Sequence, residues 1–173
     1  IARVADIIEA TPVPRVAVVL SACKGVTDGL LQLVTLAEKR DPVACEKLQA
    51  LEDKHTHIAS TLLGKDGAAA YVEALKADSR DIAGLLQAVS LLRSAGQNIR
   101  DLVAGYGEIW STRLYARLLG ERGRSAAPVL WLDARKAVVV EWGPLGPSVQ
   151  WEASQKALEA CVPQDFAGTL VIT

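Results

Sequence analysis

Residues with chemical potential lie first in the segment VLSACKGVTD, residues 19–28, where a buried strand is expected to end and a helix to start. Backbone amides at such a helix start, together with the hydroxyls of Ser21 and Thr27, could hold a carboxylate. A simpler interpretation is that Thr27 is an ordinary N-cap and Gly25 an ordinary turn residue. From the spacing alone we prefer that simpler interpretation.

A second candidate, Glu108, lies in GYGEIWSTR, residues 105–113, inside a predicted helix. Two glycines within a helix cost roughly 1 kcal/mol each relative to alanine, which indicates close packing there. The carboxylate of Glu108, surrounded by small residues, could receive an ammonium group. The alternative is a solvated glutamate with Arg113 as its basic neighbour, and the residues alone favour it. The helical period gives one face four members: Ala104, Glu108, Ser111 and Tyr115.

Other chemistry-bearing residues predict less. His55 and His57 lie two apart on a predicted helix and so point to different faces, and no spacing completes a metal site. The three cysteines are odd in number, widely separated and without C-x-x-C spacing, so neither a disulfide framework nor a zinc site is indicated. The four tryptophans are not interleaved with basic residues, so they are expected in a core or an interface rather than in a nucleic-acid platform.

Composition narrows the class of protein. The chain has 173 residues, of which 50% are apolar, which is enough for one domain with a real core. Its formal net charge of -1 gives no global attraction to nucleic acid or to anionic membranes, so small molecules or protein surfaces are the expected partners. No stretch approaches the roughly 20 apolar residues of a spanning helix, and we expect a cytoplasmic location.

Hydrophobic periodicity predicts the elements that position these residues. A strand over 15–20 is expected to be buried between two helical layers, and 43–63 and 67–92 are expected to form an antiparallel helical hairpin. Residues 143–147 are expected to form a turn-rich loop without regular structure. The remaining predicted elements are helices over 1–10, from Thr27, over 97–120 and over 152–161, strands over 128–133 and from Thr169, and a short extended piece at 138–140.

Strands separated by helices predict an α/β fold with a mostly parallel sheet covered on both faces. The sequence contains no G-x-G-x-x-G, no Walker P-loop and no G-x-S-x-G. The residues alone therefore predict an α/β domain with a pocket between two helix-bearing motifs.

The two motifs, in this order and with a helical segment between them, resemble the aspartate kinase family of amino-acid kinases. The segment from about 41 to 93 matches that family only in its helical character. The matching stretches are VVLSA (18–22), GVTDGLL (25–31), Gly107 and Glu108 with Ser111 and Leu114, WLDARK (131–136) and LVIT (170–173).

The resemblance implies a three-layer αβα amino-acid kinase-like fold with a mostly parallel sheet. Residues 1–173 would then form a partial amino-acid kinase domain, the amino-terminal domain of an aspartate kinase, with a long helical insert at about 41–95. It also implies a homo-oligomer.

The implied activity is phosphorylation of the side-chain carboxylate of L-aspartate by ATP with Mg²⁺, at the head of lysine, threonine and methionine biosynthesis. By motif, Thr27 and Glu108 correspond to residues that hold aspartate, and Ser21 lines the same pocket. The resemblance thus reverses our preference at these three positions. Cys23 and Lys24 receive no role, and Asp133 and Arg135 are interpreted as scaffold.

The sequence is expected to be part of a longer one. The family's Lys-Phe-Gly-Gly-Thr-Ser-Val segment would precede Ile1 and its Gly-Arg-Gly-Gly-Ser-Asp segment would follow Thr173. The catalytic lysine and aspartate are therefore expected outside these residues, and the 173 residues alone are expected to be inactive. Two alternatives stay open: another amino-acid kinase, acting on glutamate or a nucleotide, and a non-catalytic binding or assembly module of a fused polypeptide.

Overall fold

A computed structural model describes residues 2–11, 13–123, 128–144 and 146–173. Ile1 of the first predicted helix and Leu145 of the predicted loop lie outside the described residues. Most predicted helices and strands are confirmed, with ends shifted by a few residues. The elements are α1 Ala2–Glu9, β1 Val16–Val19, α2 Val26–Glu38, α3 Val43–Leu92, α4 Gln97–Arg122, β2 Val129–Leu132, a 3₁₀ turn Ala134–Lys136, β3 Val140–Gly143, β4 Gly146–Val149, α5 Trp151–Cys161 and β5 Thr169–Ile172.

The main sheet has the strand order β1-β5-β2, and both pairings are parallel. Thr169 at the start of β5 lies opposite Val16 on one side and Val129 on the other. All three strands therefore run in one direction and end at the same edge, as the alternation of strands and helices predicted.

Helices lie on both sides of this sheet. Val18 of β1, Val171 of β5 and Trp131 of β2 face α1 and the second half of α4. On the opposite side, Leu132 and Ile172 line a cleft of about 490 Å³ together with residues of α5. The layering is that of a partial three-layer αβα domain, so the predicted fold class is confirmed.

The predicted burial of β1 on both faces is wrong for the described part of the chain. Val19 is 72% exposed and Ala17 is also exposed, whereas Val16 and Val18 are half-buried. The α1 and α4 side covers only the Val18 face, and the cleft under α5 is lined by residues of β2 and β5 rather than of β1. A β-branched run thus reveals the strand but not how many of its faces are covered.

The predicted helical hairpin is confirmed within α3. Gly64 has φ 71° and ψ 175°, a conformation outside the helical region that reverses the chain between the two arms. A shared cleft is lined by Leu48, Gln49 and Glu52 of the first arm and by Lys76 and Ser79 of the second. The arms therefore lie side by side, and both join the core formed with α2 and α4.

The turn predicted within 143–147 is confirmed at Pro144, but the prediction that these residues have no regular structure is wrong. Residues 140–143 and 146–149 form an antiparallel pair in which Trp142 lies opposite Pro147. Both strands of this two-stranded ribbon are edge strands, so a proline, which lacks an amide proton, is tolerated. Gly146 next to the turn has φ 106°, a backbone conformation that favours glycine. Glycine and proline mark the turn here without excluding strands beside it.

Within the described ranges, no helix is both long enough and apolar enough to cross a membrane.

Candidate functional site

The candidate site lies at the edge where the three parallel strands end. Ser21 follows β1, Asp133 follows β2 and Thr173 follows β5. In open α/β sheets, ligands bind in the crevice outside these carboxyl ends. Helix α4 crosses this edge and brings Glu108 to it.

Gly107 allows α4 to approach the loop after β1 closely. A Cβ atom at Gly107 would lie 2.9 Å from Cβ of Ala22 and 3.3 Å from Cγ1 of Val26. The close packing predicted for Gly107 is therefore confirmed. It is wrong for Gly105, where a Cβ atom would meet nothing within 4 Å. The contact at Gly107 places Glu108 beside the loop of residues 21–25.

The hydroxyl of Ser111 connects the two sequence motifs. Its Oγ lies 2.8 Å from the carbonyl oxygen of Ser21 and 3.1 Å from that of Glu108. The structure thus brings together Ser21 and Glu108, which are 87 positions apart in the sequence. Ser111 shared a predicted helical face with Glu108, but its contact with the loop was not foreseen.

The side chain of Glu108 is half-buried, and within the described ranges its carboxylate makes no hydrogen bond or ion pair. Arg113, the basic neighbour that the alternative interpretation gave it, instead pairs with Asp78 at 2.7 Å. That part of the alternative is wrong. A carboxylate without a protein partner is available to receive a cationic group.

Thr27 lies in the first turn of α2, next to the same loop. The N-cap is Gly25, with φ 76°, so the interpretation of Thr27 as an N-cap is wrong and that of Gly25 as a turn residue is confirmed. The amides of Thr27 and Asp28 are in the first turn, where a helix has no carbonyl of its own to offer them. Such amides favour an anion.

Sequence reasoning missed Thr112, which is completely buried beside the site. Its Oγ1 lies 2.8 Å from the carbonyl oxygen of Glu108, receives the Nε1 hydrogen of Trp131 at 2.9 Å and lies 3.3 Å from Oγ1 of Thr173. The sequence shows only a threonine between Ser111 and Arg113 on a predicted helix, and such a residue alone does not reveal its partners.

Asp133 and Arg135 form an ion pair at the end of β2. Nη2 of Arg135 lies 2.6 Å from Oδ2 of Asp133, and Nε contacts both carboxylate oxygens. Hydrogen bonding to Arg135 holds the pKa of Asp133 below its usual range, although burial opposes this. The carboxylate is therefore ionised and engaged, and Cζ of Arg135 lies 6.0 Å from the ring centre of Tyr106.

Cys23 in the loop is half-buried. Burial raises the pKa of its thiol, and the positive charge of Lys54 partly offsets that effect. Nζ of Lys54 also donates to the carbonyl oxygen of Lys24 at 2.8 Å, which ties the first arm of α3 to the loop. A thiol with a raised pKa is mostly protonated at neutral pH and is a poor nucleophile.

The two histidines point to different sides of α3, as predicted. His55 is completely buried, with Nδ1 3.0 Å from the carbonyl oxygen of Leu51, whereas His57 is exposed. Across the described ranges, no group of three His, Cys, Asp or Glu side chains could hold a metal ion.

Comparisons with known proteins identify similar proteins whose names combine two enzymes. The chain is 32% identical over 174 residues to bifunctional aspartokinase/homoserine dehydrogenase 1, chloroplastic, of Zea mays, covering 99% of this chain and 18% of that protein. The corresponding protein of Daucus carota is 30% identical over 176 residues, covering 100% and 19%. Bifunctional aspartokinase/homoserine dehydrogenase 2 of Escherichia coli K12 is 29% identical over 171 residues, covering 99% and 20%.

No family model matches the sequence. The chain spans about a fifth of the length of these curated relatives. The motifs indicated a kinase, whereas the relatives are named for two activities. In its coarser form the resemblance is confirmed: over nearly its whole length, this chain is related to bifunctional aspartokinase/homoserine dehydrogenases.

Proposed function

We propose that this chain forms the aspartate-binding part of an aspartate kinase, which transfers a phosphoryl group from MgATP to the side-chain carboxylate of L-aspartate and yields 4-phospho-L-aspartate. The observation that carries the proposal is Glu108, a half-buried residue whose carboxylate has no partner among the described residues and whose helical turn packs on a loop and a helix start suited to an anion. An amino acid offers both complementary charges.

In this proposal each group has a separate role. Glu108 binds the substrate ammonium through a charge-assisted hydrogen bond. The hydroxyls of Ser21 and Thr27 and the first-turn amides of α2 hold carboxylate oxygens. Fixing both ends of the substrate aligns the side-chain carboxylate for attack and lowers the entropic part of the barrier.

The kinase region is favoured over the dehydrogenase region of such relatives by the loop after β1. A dinucleotide site of the common type has G-x-G-x-x-G at that position, but this loop reads SACKG. The relatives are named bifunctional aspartokinase/homoserine dehydrogenases, which is consistent with a role in amino-acid biosynthesis. We assign the chain to the biosynthesis of lysine and threonine.

We assign none of the described residues to MgATP. They offer no group of three metal ligands, and the sequence has no Walker P-loop. MgATP is therefore proposed as the co-substrate of the whole protein, and no catalytic step is assigned to it here. A cytoplasmic location and a homo-oligomer also stay predictions.

The test is aspartate-dependent acyl phosphate formation by the full-length protein, trapped as the hydroxamate. Glu108→Gln should lower kcat/KM for aspartate by about 10- to 100-fold, because a charged hydrogen bond is lost. Glu73→Gln changes a glutamate that is 75% exposed on α3 and should have no effect. Oxidation of homoserine, if the protein shows it, should be unchanged in both variants.

Three results would contradict the proposal. The first is wild-type protein that makes no hydroxamate from aspartate. The second is hydroxamate formed from glutamate instead, which would identify a different amino-acid kinase. The third is hydroxamate formation that is unchanged in Glu108→Gln.

A further inference from the structure

Two adjacent hydroxyl residues of α4 are buried where apolar side chains would fill the space. Ser111 is 7% exposed and Thr112 is 0% exposed. Both hydroxyls approach the carbonyl oxygen of Glu108, at 3.1 Å and 2.8 Å. Such bonds back to the preceding turn do not stabilise a helix, so the helix itself does not need them.

The same hydroxyls also contact other elements. Ser111 has one hydroxyl proton, and the shorter of its two contacts, 2.8 Å, is to the carbonyl oxygen of Ser21 after β1. This bond crosses from α4 to the loop that carries the other proposed aspartate ligands. It sets the separation between that loop and the Glu108 turn.

Thr112 makes the corresponding connections to the other two strands. Its Oγ1 accepts from Nε1 of Trp131 in β2 at 2.9 Å, so its own proton is free for the carbonyl oxygen of Glu108. Thr173, after β5, lies 3.3 Å away and contacts the carbonyl oxygen of Leu132. The turn that carries Glu108 is thus connected to the ends of all three strands.

We propose that Ser111 and Thr112 are positioning residues that fix the height and rotation of Glu108 relative to the loop of residues 21–25. This inference rests on the proposed function. Apolar contacts such as that at Gly107 set how close the helix lies but tolerate sliding, whereas hydrogen bonds are directional. A displacement of about 1 Å of a substrate-binding group can cost on the order of 100-fold in rate.

The experiment is steady-state hydroxamate kinetics on full-length protein with Ser111→Ala, Thr112→Val and Thr112→Ser. Ser111→Ala and Thr112→Val should each raise KM for aspartate about tenfold, while KM for ATP stays within about twofold. Thr112→Ser keeps the hydroxyl and should restore KM for aspartate. The matched control is Thr61→Val, because Oγ1 of Thr61 makes the same bond to the carbonyl of His57, at 2.8 Å, on an exposed part of α3.

The split between the two KM values separates positioning from stability. A variant that merely unfolds more readily loses active enzyme and lowers apparent kcat with KM for aspartate unchanged. If Thr112→Val cannot be purified in folded form, KM for aspartate in Ser111→Ala and Thr112→Ser tests the inference: it should be raised in the first variant and stay at the wild-type value in the second.

The inference is overturned, with the proposed function intact, when Glu108→Gln impairs aspartate use but KM for aspartate stays at the wild-type value in Ser111→Ala and Thr112→Val. A wild-type protein that makes no aspartyl hydroxamate removes the proposed function and this inference together. The two failures are therefore distinguishable.

Discussion

Helices α4 and α5 lie on opposite sides of the main sheet and differ most in burial: α4 packs directly on β2 and β5, whereas α5 and these strands line an open cleft. α4 contains twelve buried residues in its 26, including Trp110 and Thr112. α5 has no buried residue among its 11, all of which are described, and its Trp151 is 78% exposed. Both helices were predicted from the sequence, over 97–120 and over 152–161.

The comparison shows that a helix predicted from its sequence pattern can have very different tertiary surroundings. Around α4, buried polar groups such as Nε1 of Trp110 and Oγ1 of Thr112 are hydrogen-bonded, and each of these bonds fixes a direction. Around α5, apolar residues line an open cleft of about 490 Å³, and no residue of the helix is buried. The candidate site is therefore built on the helix whose polar residues are constrained.

The largest expected effect compares one tryptophan of each helix. Trp110 is completely buried, and its Nε1 donates to Asp78 at 3.1 Å. Trp110→Ala should lower the free energy of unfolding by about 3–5 kcal/mol, as for other buried aromatic residues. Trp151→Ala should change it by less than about 0.5 kcal/mol. Urea denaturation measures both, and equal losses would contradict the comparison.

Two glycines of α4 sharpen the comparison within one helix. Gly107→Ala places a methyl group 2.9 Å from Cβ of Ala22 and should cost about 1–3 kcal/mol by overpacking. Gly105→Ala meets open space and should stabilise the protein by up to about 1 kcal/mol, since alanine favours helix. The signs should be opposite in thermal unfolding. A stabilising Gly107→Ala would refute the close approach of α4 to the loop.

A third comparison concerns ion pairs. Asp78 is 16% exposed and accepts from both Arg113 and Trp110, so Asp78→Ala leaves two partly buried donors without a partner. We expect a loss of about 1–3 kcal/mol in the free energy of unfolding. Glu73→Ala breaks an exposed pair with Lys76 and should cost at most about 0.5 kcal/mol. Salt should change the second value more than the first.

The smallest effect is a pH dependence at the contact of α3 with α4. His55 lies edge-on to Trp110 with ring centres 5.0 Å apart, and its Nε2 has no hydrogen-bond partner among the described residues. Burial lowers the pKa of His55. The unfolded chain then binds the proton first, so stability should fall as the pH drops below about 6.5.

The measurement is the urea midpoint at about pH 7.5 and about pH 5.5, on either side of the ordinary histidine pKa. His55→Phe should flatten the change between the two conditions. His57→Gln, which removes an exposed histidine of the same arm, is the matched control. If the urea midpoint of His55→Phe changes between the two pH values as much as that of the wild type, other groups cause the pH dependence.

The sequence by itself determined most of the helices and strands, the parallel direction of the main sheet and the two motifs of the candidate site. These follow from local periodicity and from turn residues such as Gly25, which act over a few positions. It also indicated Gly107 as a packing position, because a glycine in a helix is costly unless something needs the space.

Only the tertiary structure decided which faces and partners those elements have. The open face at Val19, the pairing of Arg113 with Asp78 rather than with Glu108, and the joining of Thr112 to Trp131 and Thr173 all depend on residues distant in sequence. A helical period fixes which side chains share a face but carries no information about what lies opposite them. The chain folds Ser111 against the carbonyl of Ser21 because Gly107 lets the two backbones approach, and that meeting places Glu108 beside the loop.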